Sequence, residues 1–383
     1  MTIANAAGAR TDNGIQAEKD QFKVLIVDDS AVIRGLVGRW LRDEPSICVV
    51  ATASNGVIAL EAIEEHEVDV VILDIEMPEM DGMTALPKLL RKEPDLKIIM
   101  SSTLTEDGAA VTLRALSLGA ADYIPKPSTT IGLQSSDAFR RQLVEKVKAL
   151  GAARQDRGRL KPVSKGGGAT SAPPIFADMT VTLRPAPRGF KPPIVAVGSS
   201  TGGPQALTKF FGGLKAPLGV PMLVTQHMPP MFTKLLAGHI AQTTGVAMTE
   251  AVEGEAVENG HVYLAPGDYH MTVAAERGKK VIRLNQDPPE NFCRPAVDVM
   301  LRSAIEAYDS PVLTVILTGM GSDGRKGGEA VVKSGGVVIA QDQTTSVIWG
   351  MPGAVATAGL CSAVLPLEDV APAVNRIASG DAL

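Results

Sequence analysis

Residues 24–29 read Val-Leu-Ile-Val-Asp-Asp, and residues 70–74 read Val-Val-Ile-Leu-Asp. Each stretch is a short apolar run of the kind that forms a buried strand, and each ends in aspartate. Three more apolar runs lie between and beyond them, separated by helix-length segments. The pattern predicts a doubly wound, five-stranded parallel α/β domain over residues 23–150, with its functional site at the carboxyl ends of the strands.

A second α/β domain is predicted for residues 191–383. Residues 194–203 read Ile-Val-Ala-Val-Gly-Ser-Ser-Thr-Gly-Gly and begin another alternation of strands and helices, with a small β insert expected between about residues 253 and 284. Residues 151–190 contain glycine and proline clusters and seven Lys/Arg against two Asp/Glu, a net charge of +5. This composition predicts a flexible basic linker, and residues 1–22 are expected to form a disordered leader.

The composition limits the fold classes, binding partners and cellular locations that the chain can have. A chain of 383 residues with 45% hydrophobic but only 4% aromatic residues fits two α/β domains. The net charge of −5 does not favour binding to nucleic acid. Residues 191–383, with 14 basic and 17 acidic residues, do not suggest a DNA-binding domain. Three scattered cysteines fit reduced core thiols. Without a signal peptide or a membrane-length apolar run, a cytoplasmic protein with no direct membrane insertion is expected.

Three carboxylates are expected to converge at the edge of the first sheet. Asp28 and Asp29 follow one strand and Asp74 ends another. Such a cluster needs a cation, and a hard oxygen site with few protein ligands suits Mg²⁺. Lys126 is placed to neutralise a phosphoryl group, and Ser102 to hydrogen-bond one of its oxygens. Because Ser102 has neighbours that also carry hydroxyl groups, the sequence does not determine which of them takes this position. A lone strand-end aspartate is usually a helix cap, but here the acidic motifs occur in order.

These motifs resemble those of a response-regulator receiver domain. They are Asp-Asp at 28–29, Leu-Asp-Ile-Glu-Met-Pro-Glu-Met-Asp-Gly at 73–82 and Ile-Pro-Lys-Pro at 124–127. The resemblance implies Asp74 as phospho-acceptor and, together with Asp28 and Asp29, as a ligand of the Mg²⁺ needed for phosphorylation. It also implies Lys126 and Ser102 as switch residues.

The glycine-flanked turn of the second domain predicts a nucleophile. Residues 198–202 satisfy G-x-S-x-G, which exposes a serine between a strand and a helix, although similar turns also bind phosphate. A serine needs a base, and His227 is favoured among the five histidines because it follows the strand of residues 222–225. The remaining histidines are expected in the first domain, on a helix or in turns: His66, His239, His261 and His270.

The third member of a triad should be a carboxylate on another strand end. Asp323 follows the apolar run 313–318 within a glycine-rich loop and could orient His227. Asp268, Asp298 and Asp342 are the rivals. The order serine, histidine, aspartate differs from that of α/β-hydrolases, so a standard esterase of that fold is disfavoured.

Four motifs in the second domain resemble the chemotaxis protein-glutamate methylesterase/protein-glutamine deamidase family. They are Gly-Ser-Ser-Thr-Gly-Gly, Thr-Gln-His-Met-Pro-Pro, Leu-Ala-Pro-Gly-Asp-Tyr-His and Leu-Thr-Gly-Met-Gly-Ser-Asp-Gly, in that order. The resemblance implies Ser200 as nucleophile, His227 as general base and Asp323 as the residue that orients it. The resemblance also implies an oxyanion hole in the Gly319–Gly321 loop, chiefly the Met320 N–H, with support from Thr201. Ser199 and Ser322 depart from the residues frequent in the family.

The implied reaction is hydrolysis of glutamate γ-methyl esters, and deamidation of glutamines, on the cytoplasmic helices of chemoreceptors. It would proceed through an acyl-enzyme, need no cofactor for the ester chemistry, and be activated when a chemotaxis histidine kinase phosphorylates Asp74. We expect the unphosphorylated receiver to cover the Ser200 cleft. Two alternatives stay open: a non-catalytic, phospho-dependent anion-binding module, and a transcription factor with an acidic output domain.

Overall fold

A computed structural model describes residues 21–102, 105–126, 133–160, 181–187, 189–215 and 218–381. The predicted leader, up to residue 20, and most of the predicted linker lie outside the described residues. By contact, the described chain separates into two compact units, one formed by residues 21–102 and 118–160 and the other by residues 105–117 and 181–381. Across these ranges, no helix combines the length and the apolar character that crossing a membrane requires.

The predicted parallel sheet of the N-terminal region is confirmed. Its strand order is β2-β1-β3-β4-β5, and every strand pair is parallel. The strands are β1 Phe22–Val27, β2 Ile47–Ala53, β3 Val70–Asp74, β4 Lys97–Ser102 and β5 Asp122–Pro125. The helices that connect and follow them are α1 Ala31–Arg42, α2 Gly56–Glu65, α3 Gly82–Lys92, α4 Glu106–Ser117 and α5 Leu133–Leu160.

Apolar runs with buried side chains form the central strands of this sheet. Val24–Val27 of β1 and Val70–Leu73 of β3 are at most 4% exposed, as expected for strands covered on both faces. Polar caps then start the helices: Ser30 accepts a hydrogen bond from Ile33 N, and Asp81 accepts one from Thr84 N. The aspartates that follow β1 and end β3 therefore meet at one edge of the sheet.

The residue range predicted as a linker starts inside helix α5, which continues to Leu160. Packing and ion pairs hold this extension against the first unit. Gly151 lies against the Phe22 ring, and Arg154 pairs with Asp69 and Glu93. Near the other end of that range, Arg184 N donates to Cys361 O within the second unit.

The second unit contains a seven-stranded parallel sheet of order β14-β13-β12-β6-β7-β9-β8. This confirms the predicted second α/β fold and adds two short edge strands, β8 and β14. The strands are β6 Val195–Ser199, β7 Met222–Gln226, β8 Met248–Glu250, β9 Val262–Leu264, β12 Leu313–Ile316, β13 Val337–Gln341 and β14 Ala363–Leu365. The helices are α6 Gly203–Gly212, α7 Phe232–Thr244, α8 Val297–Tyr308, α9 Arg325–Lys333, α10 Gly350–Thr357 and α11 Leu367–Ser379.

The predicted β insert is a hairpin of β10 His270–Glu276 and β11 Lys279–Asn285. It begins later than predicted, because β9 joins the main sheet as a parallel neighbour of β7. Strand β6 lies between β7 and β12. The chain leaves the carboxyl ends of these three neighbouring strands at Ser200, His227 and the loop before Asp323, so the topology brings all three residues to one edge.

Candidate active site

The three predicted carboxylates of the first unit lie together. Oxygen atoms of Asp28, Asp29 and Asp74 are all within 4.8 Å of one another. Asp28 and Asp74 are only 3% and 1% exposed, whereas Asp29 is exposed. Burial raises the pKa of both buried carboxyls, with mutual repulsion adding to the effect. A hard divalent cation such as Mg²⁺ would stabilise the ionised carboxylates against both burial and repulsion. The three carboxylates are therefore a suitable donor set for this ion.

Lys126 lies at the same edge and contacts the carboxylates. Its Nζ donates to Asp74 Oδ2 at 2.6 Å and lies 3.7 Å from Asp28 Oδ2. Burial opposes the charged ammonium, but the hydrogen bond to Asp74 and the neighbouring negative charges raise the pKa of Lys126. Lys126 is therefore a fixed positive charge beside the carboxylate that the sequence predicts as phospho-acceptor.

The end of strand β4 brings two serines to this edge. Ser101 pairs with Asp74 across the sheet, and Ser102 pairs with Pro125. Both serines are buried, and Lys126 N donates to Ser102 O at 2.6 Å. The backbone of Ser102 is thus tied to Lys126, and the choice of Ser102 over its neighbours as a switch residue stays a prediction.

In the second unit, Ser200 occupies the turn between β6 and α6. Ser200 N donates to Thr318 O at 3.0 Å, and Gly203 N donates to Ser200 O at 2.7 Å. The Ser200 side chain is half-buried, whereas Ser199 is fully buried and donates its hydroxyl to Gln226 Oε1 at 2.6 Å. Of the two adjacent serines, only Ser200 is therefore available to solvent.

Gln226 stabilises this turn and was missed in the sequence analysis. Its Nε2 donates to Ser200 O at 2.9 Å while its Oε1 accepts from Ser199. The close approach requires glycine at position 203, because a Cβ there would lie 1.8 Å from Gln226 Oε1. The signal was present in the sequence, since Gln226 directly precedes His227 in one of the quoted motifs.

His227 and Asp323 are joined as the sequence predicts. Nε2 of the imidazole lies 2.9 Å from Asp323 Oδ2, and the His227 side chain is 11% exposed. His227 N also donates to Ser199 O at 3.1 Å, which places the histidine beside the serine turn. Among the described residues, however, the imidazole is not hydrogen-bonded to the Ser200 hydroxyl. Such contacts often tighten only when substrate binds.

Asp323 is held by the N-terminus of helix α8. Its Oδ2 accepts from Val297 N at 2.6 Å, and its Oδ1 accepts from Asp298 N at 3.1 Å and from Gly324 N at 3.0 Å. Burial opposes ionisation, but the hydrogen bond from His227 and these N–H groups lower the pKa of Asp323. The carboxylate is therefore kept ionised and in a fixed orientation toward the imidazole.

A second buried carboxylate is linked to Asp323 through Asn291. The Asn291 Nδ2 donates to Asp323 Oδ1 and to Asp298 Oδ2, both at 2.9 Å. Asp298 is fully buried and also accepts from Gly327 N at 2.6 Å. Burial and the charge of Asp323 raise the pKa of Asp298. From the sequence, Asp298 was a rival candidate of Asp323, and Asn291 was not predicted.

The second ring nitrogen of His227 contacts a cysteine. Cys293 Sγ lies 3.4 Å from His227 Nδ1. Cys293 was predicted to be a core thiol, and this prediction is wrong: the side chain is half-buried and lies in the loop before α8. Burial disfavours the imidazolium, but the electrostatic interaction with Cys293 and the hydrogen bond to Asp323 raise the pKa of His227 to about 10.

The predicted oxyanion loop lies against the serine turn. A Cβ at Gly319 would be 2.8 Å from Ser200 Cβ. Gly319 N donates to Ile348 O, so this N–H is not free for substrate, and the oxyanion role of Met320 stays a prediction. Thr201 is buried, and its carbonyl accepts from the Thr318 hydroxyl at 2.9 Å. Its side chain therefore faces away from bulk solvent.

The rival residues have other partners. His270 is fully buried between Ala296 N and Pro288 O, and His261 contacts Thr249. Asp268 pairs with Arg294, and Asp342 accepts from Thr345 N in a turn. These four residues thus have structural partners of their own. His227 and Asp323, by contrast, are paired beside the serine turn.

Comparison with known proteins identifies relatives of both regions. The CheB methylesterase family model matches residues 195–374, and the response regulator receiver domain model matches residues 24–136. The chain is 53% identical to protein-glutamate methylesterase/protein-glutamine glutaminase 1 of Rhodospirillum rubrum, over 94% of this chain and 95% of that protein. It is 54% identical to the protein of the same name from Paramagnetospirillum magneticum, over 94% and 97%. A solved structure, the Thermotoga maritima CheB methylesterase catalytic domain, is 45% identical and covers 47% of this chain and 95% of its own, with a TM-score of 0.46.

Proposed function

The chain belongs to the CheB methylesterase family and carries a receiver domain, and from this premise we propose that Ser200, His227 and Asp323 form its catalytic triad under control of Asp74. Its activity is that of a protein-glutamate methylesterase/protein-glutamine glutaminase. The observation that carries the proposed triad is the 2.9 Å contact between His227 Nε2 and Asp323 Oδ2 beside the Ser200 turn.

In the proposed reaction, the Ser200 oxygen attacks the carbonyl carbon of a glutamate γ-methyl ester. With Nε2–H directed to Asp323, the base atom of His227 is Nδ1, which takes the hydroxyl proton as the C–O bond forms. The tetrahedral intermediate then expels the methoxide group, which takes the proton from His227 and leaves as methanol. Water, activated by the same nitrogen, attacks the acyl-enzyme and releases glutamate and free Ser200.

We propose that backbone N–H groups stabilise the oxyanion of both tetrahedral intermediates. Met320 N–H in the loop against Ser200 is the main candidate, with support from Thr201 at the N-terminal turn of α6. Donors at fixed positions act on charge that develops only in the transition state, and loss of one typically lowers kcat about 100- to 1,000-fold. Helix N-termini also favour negative charge.

Glutamine deamidation follows the same route. Attack of Ser200 on a γ-carboxamide gives the same acyl-enzyme, and His227 donates its proton to the amide nitrogen, which leaves as ammonia. No further group is needed, which is why the proposed ester and amide reactions share one site.

The first domain, residues 23–150, is proposed to control this activity. Asp74 would accept a phosphoryl group from a chemotaxis histidine kinase, and Mg²⁺ bound by Asp28, Asp29 and Asp74 would supply charge neutralisation for that transfer. Lys126 Nζ, already 2.6 Å from Asp74 Oδ2, would pair with the transferred phosphoryl group, and Ser102 would donate to it.

The proposed substrates are methylated glutamates on the cytoplasmic helices of chemoreceptors. They are reached by the catalytic domain, which we assign to residues 191–383. The proposal places the protein in the cytoplasm, because the phosphodonor and the receptor helices are there. We propose no role in nucleic-acid binding, and no cofactor for the ester chemistry.

An active-site serine probe tests the nucleophile. A fluorophosphonate should label the wild-type chain at Ser200, and Ser200→Ala should abolish labelling. Ser199→Ala is the matched control, since the Ser199 hydroxyl is fully buried and bonded to Gln226. Labelling that survives in Ser200→Ala, or that disappears in Ser199→Ala alone, would contradict the assignment.

A further inference from the structure

Phe292 is the most exposed large apolar residue in the described part of the chain. Its side chain is 89% exposed, and its backbone has a φ of 62°. This left-handed conformation is sterically unfavourable for side chains with a Cβ, and it closes a tight turn in which Cys293 N donates to Glu290 O at 2.9 Å. Strained residues of this kind persist where the surrounding structure holds them for a purpose, often at a binding site.

Two more exposed apolar side chains lie on neighbouring loops. Met231 is 43% exposed and follows the Pro229-Pro230 turn after β7, and Tyr269 is 39% exposed and follows β9. We call Met231, Tyr269 and Phe292 the apolar rim. Each belongs to a loop that leaves the carboxyl end of the sheet or leads into α8, whose N-terminus holds Asp323.

Direct contacts fix the three loops to one another. Gly267 N donates to Thr233 Oγ1 at 3.0 Å, which joins the Tyr269 loop to the start of α7 next to Met231. The same loop is joined to the Phe292 loop by Arg294, which donates to Asp268 Oδ1 at 2.6 Å. In return, Asp268 N donates to Arg294 O at 3.2 Å. The three loops that carry the apolar rim are therefore fixed to one another.

The apolar rim lies beside the proposed catalytic base. Phe292 directly precedes Cys293, whose Sγ is 3.4 Å from His227 Nδ1. Met231 follows His227 by four residues, across the loop that ends β7. Exposed apolar side chains grouped at the mouth of a site are characteristic of surfaces that bind a partner.

We propose that the apolar rim binds the protein that carries the glutamyl ester, through apolar side chains adjacent to the target glutamate. This inference rests on the proposed function. The reaction takes place at one glutamyl side chain, whereas the relatives are named for acting on proteins, so the protein surface around the target would contact the loops beside Ser200. Phe292 would be the principal contact, because it has the most area to bury.

The test compares a protein substrate with a small ester on the full-length chain at saturating acyl-phosphate donor. Phe292→Ala should raise the KM for methylated receptor membranes about tenfold, which corresponds to about 1.4 kcal/mol of binding. Hydrolysis of p-nitrophenyl acetate should keep its wild-type kcat and KM, because this ester is too small to reach the rim. Phe292→Leu should recover most of the lost affinity.

Two further variants make the outcome decisive. Leu183→Ala removes an apolar side chain that is 53% exposed and lies near Cys361, away from the rim, and it should leave both substrates unaffected. Ser200→Ala should abolish both activities, which tests the proposed function separately. The proposal is overturned if Phe292→Ala leaves the membrane KM unchanged, or if it lowers small-ester turnover as much as receptor turnover.

Discussion

Cys293 Sγ lies 3.4 Å from Nδ1 of His227, while the other ring nitrogen of His227 lies 2.9 Å from Asp323. In the proposed mechanism Nδ1 must receive the proton of Ser200. The thiol therefore occupies one approach to the base, and its presence favours a charged imidazole that cannot accept a proton.

Replacing Cys293 should shift the pH dependence of hydrolysis. The pKa of His227 is raised to about 10, and the base works only when the imidazole is neutral, so activity should rise as pH rises through this pKa. Cys293→Ala removes one group that favours the imidazolium, which lowers the pKa of His227 and moves the rising limb to lower pH. The pH–rate profile for a small ester measures this. If the rate rises over the same pH range in Cys293→Ala and in the wild type, Cys293 does not affect the pKa of His227.

The amide group of Asn291, rather than the size of its side chain, should determine its contribution to stability and turnover. Asn291→Ala removes hydrogen bonds to Asp323 and Asp298, at a cost of roughly 1–3 kcal/mol in the free energy of unfolding. Asn291→Asp keeps the volume but adds a third carboxylate beside two buried ones, so it should be the more destabilising variant and should also lower kcat. Urea unfolding and ester turnover check this order. An aspartate variant as stable and active as the wild type would contradict it.

The acidic cluster should control the Mg²⁺ requirement of phosphorylation. Asp28→Asn removes a buried charge from the donor set, so phosphorylation by a small acyl phosphate should need about tenfold more Mg²⁺, equivalent to about 1.4 kcal/mol. Asp81→Asn is the control, because asparagine caps a helix about as well as aspartate. Phosphoprotein yield is measured over graded Mg²⁺ concentrations. Equal Mg²⁺ requirements for Asp28→Asn and wild type would remove Asp28 from the site.

Two glycine-to-alanine substitutions should have opposite effects on stability. Gly203→Ala places a methyl group 1.8 Å from Gln226 Oε1, which should destabilise the fold by roughly 1–3 kcal/mol and displace the Ser200 turn. Gly238 lies inside α7, and a methyl group added there would meet no atom of the described chain within 4 Å, so Gly238→Ala should stabilise by about 1 kcal/mol. Thermal unfolding compares them. A Gly203→Ala variant with wild-type stability and turnover would contradict the role of Gln226.

The strands and the strand-end residues were predictable because local patterns determine them. Uninterrupted apolar runs such as residues 70–73 specify buried parallel strands, and parallel strands bring their carboxyl ends to one edge. This reasoning brought Asp28 to Asp74, and Ser200 and His227 to Asp323, across large separations in sequence. The same logic could not resolve edge strands β8 and β14, which are three residues each and carry little pattern.

The residues that sequence reasoning missed act through a loop with irregular backbone. Asn291 and Cys293 reach Asp323 and His227 because Asn291 and Phe292 adopt φ values of 53° and 62°. Glu290 and Cys293 exchange two backbone hydrogen bonds around these residues, as in a type I′ turn, but Phe292 stands where glycine usually marks such a turn in a sequence. The contact between Cys293 and the imidazole could therefore be found only in three dimensions.

The most direct test of the account is methanol release from methylated receptor membranes, with and without an acyl-phosphate donor and Mg²⁺. Wild type, Ser200→Ala and Asp74→Asn should be compared. The account predicts that release requires Ser200, and that the donor increases it only when Asp74 is present. Release by Ser200→Ala at the wild-type rate would contradict the triad, and equal stimulation of Asp74→Asn by the donor would contradict the switch.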